Sequence, residues 1–443
     1  MFILHDLLKD FKGDFAHSRK GDERATWFVY CIIAIIVPFT SSKTSNLLRS
    51  LKVLFGFTAI SRRRFYTFMA SPKLPWQKLW KRVWKMIPNP LTNGHVITVL
   101  DDFINPKTGK KIFGCHNFYD HAAKTNQSRY PWSQNVVMVG LLKTIKGRWA
   151  CLPLTFRFYH LKKDLDSNPL SLDKQKVPFK TKLEQAVTML AEIADFYKEV
   201  KIINIADSWF GNNSLFKPLR EKMGSRFHLI SRLRSNINLF DFPGKSSKGR
   251  GRPRIYGRKV GNASLLAHSY RDLAKEVSVN LYGKVRTVMA YDRLLMLKTL
   301  KCPVRVVWVF RQKQWVALFS TDVTLSIEKI IEYYGARWKI EAGFKELKRD
   351  MGSAETQVRR PHAVINHLHF CMMAMSLTWI YAGKMEKAPI RRHAVKGRGH
   401  FAFSDIRRCI AEAAMNNHFN LLCPVPRKSV FNSLVTTLLR MAA

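Results

Sequence analysis

The chain has 443 residues, with 75 Lys and Arg against 31 Asp and Glu, a formal net charge of +44 and a pI near 10.3. So many positive charges repel one another, and an enzyme that acts on small neutral substrates does not require them. Binding to DNA or RNA would offset the repulsion. Because 47% of the residues are hydrophobic and 12% aromatic, the chain is not a disordered basic tail. It is long enough for roughly two or three domains with cores of their own.

Cysteine usage and hydropathy predict the compartment. Seven cysteines are scattered without a Cys-x-x-Cys pair, which favours reduced thiols and argues against a disulfide framework or a zinc ribbon. The longest apolar run, residues 27–37, is too short to span a bilayer, and the acidic residues before it are untypical of a secretory signal. We therefore expect a cytoplasmic protein that does not act at a membrane.

The first 90 residues indicate basic helices. A helical pattern over 44–54 precedes a break at Gly56, and a second helix starts at Ser61 with Arg62, Arg63 and Arg64 in its first turns. This outline is typical of a helix-turn-helix, in which Arg62 and Arg63 would lie against DNA. An ordinary helical hairpin would give the same pattern.

From residue 95 the pattern changes to strands. The run 96–102 ends in Asp101 and Asp102, and the run 200–207 ends in Asp207. Together with a hairpin signal at Lys146-Gly147 and an amphipathic helix over 180–197, these runs predict a mixed sheet with helices on its faces. Side chains at neighbouring strand ends can meet, although an Asp after a strand is also common in unrelated turns.

An insertion is expected over residues 241–325. It opens with a basic loop whose Arg250-Gly-Arg-Pro-Arg254 core is similar to the minor-groove-binding AT-hook, so Arg252 and Arg254 are candidate DNA contacts. A solvated basic loop is the alternative. The ranges 277–289 and 304–319 indicate strands.

The most informative segment is a predicted helix over 327–348. Its Tyr334, Arg337, Glu341 and Lys348 fall within an arc of roughly 60°. A carboxylate that binds a cation beside two phosphate-binding cations suits a nucleic-acid enzyme. Ion pairs along a solvated helix face would produce the same spacing.

Three acids from separate segments in a strongly cationic chain are the ingredients of a two-metal phosphoryl-transfer site. Carboxylates suit Mg²⁺, with Mn²⁺ as a possible substitute, and the scattered histidines show no metal-ligand spacing. We expect Asp102, Asp207 and Glu341 to be the ligands of two such ions.

At these residues the chain resembles the DDE insertion-sequence transposases with a Tyr-Arg-Glu-Lys signature, over roughly residues 95–352. The segment Arg337-Trp338-Lys-Ile-Glu341 has the form found in that family, and Gln314-Trp315 with its following apolar strand resembles the family's insertion-domain tryptophan. The resemblance implies an α/β protein with an RNase H-like mixed-sheet core, residues 91–240 and 326–383, interrupted by the β-rich insertion. A helical DNA-binding domain, residues 1–90, would precede this core, and a basic loop with helices, residues 384–443, would follow it.

Family members cut both strands at the ends of a mobile element and join the freed 3′ ends to target DNA, as a homodimer in a synaptic complex. The resemblance therefore implies double-stranded DNA as the partner, in the bacterial cytoplasm at the nucleoid. It makes Arg337 and Lys348 phosphate ligands, with Tyr334 beside them. Trp315 would stack on a flipped base if a DNA hairpin forms.

Two assignments have rivals within the sequence. Asp101 competes with Asp102 as the first acid, and the family pattern favours Asp102 as the last acid of the pair. Trp308 competes with Trp315, whose flanking residues match better. A transposase-derived repressor without catalysis and a host nuclease on the same core are the alternative functions.

Overall fold

The computed structural model describes residues 3–37, 41–53, 55, 57–121, 123–244, 254–393 and 399–413. Two short 3-10 turns, Asp10–Asp14 and Gly224–Arg226, accompany the α-helices. The helices are α1 Ile3–Lys9, α2 Arg19–Ile36, α3 Thr44–Val53, α4 Arg62–Met69, α5 Trp76–Met86, α6 Lys162–Ser167, α7 Lys182–Phe196, α8 Asn213–Met223, α9 Ala263–Tyr270, α10 Ile327–Ala336, α11 Trp338–Arg349, α12 Pro361–Lys384 and α13 Phe403–Ala413.

All but two of the described strands belong to one large mixed sheet. The strands are β1 His95–Pro106, β2 Cys115–Asn117, β3 Trp132–Ile145, β4 Arg148–Tyr159, β5 Ser171–Leu172, β6 Gln175–Lys176, β7 Lys201–Ala206, β8 Phe227–Arg232, β9 Asn238–Phe240, β10 Lys259–Asn262, β11 Lys275–Leu281, β12 Lys284–Leu297, β13 Cys302–Arg311 and β14 Gln314–Ser320. The chain is therefore a mixed α/β protein, as predicted.

One half of the sheet has the order β4-β3-β1-β7-β8. Strand β3 is antiparallel to both β4 and β1, whereas β7 is parallel to β1 and β8 is parallel to β7. The turn between β3 and β4 is formed by Lys146 and Gly147, which both have positive φ. This matches the hairpin prediction, because a two-residue turn of this kind suits the twist of the strands that it joins. The parallel strands place their carboxyl ends, and the residues that follow, at one edge.

The insertion continues the same sheet. Strand β14 pairs antiparallel with β8, β13 pairs with β14, and β12 pairs with β13. The predicted strand ranges 277–289 and 304–319 each contain a turn, at Tyr282-Gly283 and at Gln312-Lys313, so each is a hairpin rather than a single strand. Alternating β-branched residues predict extended backbone on both sides of such a turn without revealing the turn itself.

The predicted single helix over 327–348 is two helices. The N–H of Arg337 donates to the carbonyl of Tyr334 at 3.1 Å, a tighter i→i−3 bond that interrupts the α-helical series. The chain nevertheless keeps helical dihedral angles at Arg337. Tyr334 therefore lies in the last turn of α10, Glu341 and Lys348 belong to α11, and Arg337 lies at the junction.

The N-terminal helices pack on α12 rather than forming a separate core. The Phe28 ring lies 5.3 Å from the Phe370 ring, and Trp76 stacks on His369 at 4.4 Å. One hydrophobic cluster extends from Leu7 to Ala411 among the described residues. Helix α12 is long and apolar enough to span a bilayer, but 89% of its most apolar window is buried inside the protein, as befits a core helix.

Candidate active site

Two acids lie side by side at the carboxyl edge of the sheet. Leu100 of β1 is paired in parallel with Ala206 of β7, so the next residues, Asp101 and Asp207, are adjacent and point to the same face. Because successive side chains of a strand alternate, Asp102 points to the opposite face. The register of β1 against β7 thus selects which acid of the Asp101-Asp102 pair meets Asp207.

Arg337 joins Asp101 to Glu341. Its Nη1 donates to Asp101 Oδ2 at 3.1 Å and its Nη2 donates to Glu341 Oε1 at 2.7 Å. The exposed fractions are 14% for the arginine side chain, 18% for Asp101 and 33% for Glu341. The junction of α10 and α11 therefore brings the predicted third acid to Asp101 within β1, where ring contact between Phe103 and Phe344 at 4.5 Å holds α11 against the sheet.

The electrostatics of this group show crowded negative charge. The pKa of Asp101 is raised to about 7, mainly by burial and to a smaller extent by Asp207 and Asp102, while Arg337 acts in the opposite direction. Burial alone would lower the pKa of Arg337, but Tyr334, Asp101 and Glu341 together raise it. The positive charge of the Arg337 guanidinium thus partly offsets the negative charges of Asp101 and Glu341 at this edge of the sheet.

The other two residues of the predicted signature flank this group. The Arg337 guanidinium lies 5.8 Å from the centre of the Tyr334 ring, and Tyr334 is close enough to Asp207 and Arg232 for both to influence its raised pKa, which is due mainly to burial. Lys348 Nζ donates to the carbonyl of Ile104 at 3.4 Å. Tyr334, Arg337, Glu341 and Lys348 therefore lie around Asp101 and Ile104 in the second half of β1, and Arg232 is a further cation there that the sequence did not indicate.

Asp102 belongs to a different set of contacts. Its Oδ2 accepts from Asn135 Nδ2 at 2.8 Å and from Lys182 Nζ at 2.7 Å. The Lys182 ammonium lies 5.1 Å from the Tyr159 ring centre and 5.7 Å from the Trp209 ring centre. The geometry therefore does not agree with Asp102 as the acid that joins Glu341, and favours Asp101. No sequence pattern pointed to Lys182. An aromatic residue two positions after a predicted strand-end Asp was a signal that could have identified Trp209.

Asp207 is oriented by the backbone of the turn that follows it. Its Oδ1 accepts from the N–H groups of Trp209 at 3.0 Å and Phe210 at 2.9 Å. The turn then passes close to β8, where a Cβ on Gly211 would lie 2.1 Å from Ser231 Oγ and 3.1 Å from the carbonyl oxygen of Asp207. Only glycine allows this approach, so the tight turn fixes the Asp207 carboxylate.

A buried lysine anchors the far end of α11. Lys107, only 7% exposed, donates from Nζ to the carbonyls of Ser353 at 2.9 Å, Ala354 at 3.1 Å and Thr356 at 3.1 Å. Burial lowers its pKa to about 8. The end of β1 is therefore tied to the loop that follows α11, which helps to set the position of Glu341 relative to Asp101.

No hydrogen bond, ion pair or ring contact between described residues joins the remaining candidates to the acids. Trp315 is half-buried and packs against the main core, and Trp308 is buried with its Nε1 donating to the carbonyl of Ala263 at 3.0 Å. Arg62 and Arg63 are exposed at the start of α4, whose N-cap is Ser61 as predicted. Arg254 is exposed, and Arg252 lies outside the described residues.

The donor set suits a hard divalent cation, because Asp101, Asp207 and Glu341 offer only carboxylate oxygens. Burial and the neighbouring acids raise the pKa of Asp101, and a bound cation would oppose that shift. Within the described residues, however, no three His, Cys, Asp or Glu side chains are grouped closely enough to hold a metal ion. Arg337 instead bridges Asp101 and Glu341, so metal binding would require these side chains to rearrange.

Comparison with known proteins shows to which family the chain belongs. No curated protein matches the sequence. Among solved structures the chain is similar to the NurA nuclease from Sulfolobus solfataricus, with 10% identity, coverage of 63% of this chain and 86% of that chain, and a TM-score of 0.24, which is too low to inform fold or function. Residues 16–294 match the DDE superfamily endonuclease family, a range that contains Asp101, Asp102 and Asp207 and ends before Glu341. Because this match covers more than half of the chain, the protein belongs to the DDE superfamily endonucleases.

Proposed function

We propose that this endonuclease is a cut-and-paste transposase of the Tyr-Arg-Glu-Lys type. It would bind the ends of its own mobile element as a homodimer, cleave both strands and join the 3′ ends to target DNA. The observation that carries the proposal is the junction of α10 and α11, where Arg337 brings Glu341 to Asp101 beside Asp207. The strand order β4-β3-β1-β7-β8 supports an RNase H-like core.

Asp101, Asp207 and Glu341 are the proposed ligands of two Mg²⁺ ions. When bound, such ions supply activation of an attacking oxygen and stabilisation of a leaving oxygen in phosphoryl transfer. The protein would hold these ligands in place. The register of β1 and β7 aligns the carboxylates of Asp101 and Asp207, and the turn at Gly211 fixes the carboxylate of Asp207. Asp102, which is paired with Lys182, is replaced by Asp101 in this assignment.

The cations of the site would hold the DNA backbone. With a metal ion held by Asp101 and Glu341, the Arg337 guanidinium would be free to bind a phosphate with its planar fork. Lys348, whose pKa is lowered by burial, lies at the other end of α11 and would hold a second phosphate. Tyr334 and Arg232 would line the same path.

The proposal is tested by incubating the full chain and Mg²⁺ with duplex DNA that carries the inverted repeats flanking its gene. We expect strand cleavage at the repeat and transfer of a labelled 3′ end into a plasmid. Glu341→Gln should reduce cleavage by at least about 100-fold, because losing a direct metal ligand exceeds the roughly 10–100-fold cost of losing an outer partner. The matched control is Glu221→Gln, at a side chain 66% exposed on α8.

The outcomes separate the alternatives. Degradation without transfer of the labelled end would identify a nuclease on the same core. Binding without cleavage, or equal cleavage by the Glu341→Gln variant, would contradict the enzymatic proposal and leave a DNA-binding repressor.

A further inference from the structure

An exposed tryptophan lies beside the acids. Of the tryptophans in the chain, Trp209 and Trp338 are exposed, at 45% and 56%, while the others are buried or half-buried. Trp209 follows Asp207 by two residues and donates its backbone N–H to that carboxylate at 3.0 Å. An indole that is 45% exposed beside an acid of the site is accessible to a ligand that could stack on it.

The Trp209 ring is held in place rather than loose. The ring of Phe210 packs edge-on at 4.8 Å, and the Lys182 ammonium lies 5.7 Å from the indole centre. Lys182 also lies 5.1 Å from the centre of the Tyr159 ring. Two aromatic rings and one cation thus form a single feature, which we call the Trp209 platform, defined by Trp209, Tyr159 and Lys182.

Asp102 forms an ion pair with Lys182, the cation of this platform. Lys182 is the first residue of α7, where Thr181 and Glu184 form a capping box. A cation at a helix N-terminus is disfavoured by the helix dipole, and Asp102 offsets this cost with a 2.7 Å ion pair between side chains only 21% and 20% exposed. The neighbouring acids therefore have separate partners: Asp101 meets Arg337, and Asp102 positions Lys182.

We propose that the Trp209 platform binds one unpaired nucleotide of the DNA strand that passes the acids. An indole face stacks on any base, whereas a base inside a duplex cannot reach it without leaving its own stack. The Lys182 ammonium would face the phosphate of that nucleotide, and the +44 chain favours such a polyanion. The inference rests on the proposed DNA substrate and assigns base stacking to Trp209 instead of the half-buried Trp315.

The test measures binding without any divalent metal, so that it is independent of cleavage. Full-length protein is titrated with a duplex carrying a short single-stranded overhang that contains 2-aminopurine, and with the matching blunt duplex. We expect tighter binding to the overhang and quenching of the 2-aminopurine. Trp209→Ala should weaken overhang binding by about 5- to 150-fold, the range for losing one stacked base, and should abolish quenching while changing blunt-duplex affinity by less than about twofold.

Further variants distinguish the loss of the indole from misfolding and from a general loss of DNA binding. Trp209→Phe keeps a ring and should restore most of the affinity and quenching. Asp102→Asn should weaken overhang binding with Trp209 intact, because Lys182 loses its partner. Tyr282→Ala, at an exposed aromatic of the β11–β12 turn, should match wild type.

Three results would overturn the inference: no preference of wild type for the overhang, equal loss on both DNAs in Trp209→Ala, or quenching that depends on Trp315 instead. A wild-type protein that shows the overhang effects but does not cleave with Mg²⁺ would contradict the proposed function alone.

Discussion

At the residue scale, two adjacent aspartates have opposite surroundings. Asp101 accepts a hydrogen bond from a guanidinium and lies beside Asp207. Asp102 accepts hydrogen bonds from a side-chain amide and an ammonium group. The alternation of a strand forces this division, since neighbouring side chains cannot face the same side. Their substitutions should therefore have different consequences.

We expect Asp101→Asn to reduce Mg²⁺-dependent strand cleavage by at least about 100-fold, because it would remove a proposed direct metal ligand. Asp102→Asn should cause a smaller loss, about tenfold or less, because it acts through Lys182. Cleavage rates of the two variants at saturating DNA measure the difference. A larger loss in Asp102→Asn would restore Asp102 as the first acid.

Arg337 provides a second prediction at this scale. Replacing it with Gln leaves two largely buried carboxylates without their shared cation, which should destabilise the metal-free protein on the order of 2 kcal/mol. Added Mg²⁺ should then raise the melting temperature of the variant more than that of wild type, because no guanidinium competes for the acids. Thermal unfolding with EDTA and with Mg²⁺ measures both effects, and equal Mg²⁺ shifts would contradict the competition.

At the element scale, α12 joins the N-terminal helices to the sheet. His367, 1% exposed, donates from Nε2 to the carbonyl of Ser42 at 2.7 Å. Burial, with a contribution from Lys107, lowers its pKa to about 4. The imidazole therefore stays neutral in the folded protein and takes up a proton on unfolding below about pH 6.5.

This linkage predicts acid sensitivity. The contribution of His367 is complete above about pH 6.5 and is lost progressively as pH falls towards about 4, by on the order of 3 kcal/mol. His367→Gln keeps a donor for Ser42 and removes the titration. Urea unfolding of both proteins at pH 7.5 and pH 5 should show a steeper fall for wild type, and parallel falls would refute the assignment.

The signature helices also belong to this scale. The i,i+4 contact of Arg337 with Glu341 follows from helical spacing and was predictable. The break at Arg337 was not, because it depends on a single i→i−3 bond that no residue pattern requires. The anchoring of the loop after α11 by Lys107 joins residues about 250 positions apart in sequence and is likewise invisible to local periodicity.

At the scale of the whole molecule, charge predicts how DNA is bound. Each phosphate neutralised contributes about 0.9 to the slope of log affinity against log salt concentration. Arg62 and Arg63 are exposed on α4, whereas Arg64 is paired with Glu23. The first two arginines are therefore the ones available to DNA.

Arg62→Ala and Arg63→Ala should each weaken binding to element ends and reduce the salt slope by about 1. Lys217→Ala, at an ion-paired and exposed position on α8, is the matched control and should leave the slope unchanged. Titrations from 50 to 200 mM salt, roughly the range in which phosphate contacts dominate, measure the slopes. Unchanged slopes in both arginine variants would exclude the helix-turn-helix role.

The sequence by itself determined the features that depend on composition and short-range spacing. The +44 charge indicates a polyanion, Lys146-Gly147 predicts the hairpin turn that the structure has, and predicted strand ends and a helical spacing mark the acids and their cations. The tertiary structure alone decided how these features combine. The parallel register of β1 and β7 places Asp101 rather than Asp102 beside Asp207, and the packing of α7 beside that edge brings Lys182 to Trp209. The physical reason is that periodicity defines the two faces of a strand, whereas only contacts with distant segments decide what each face meets.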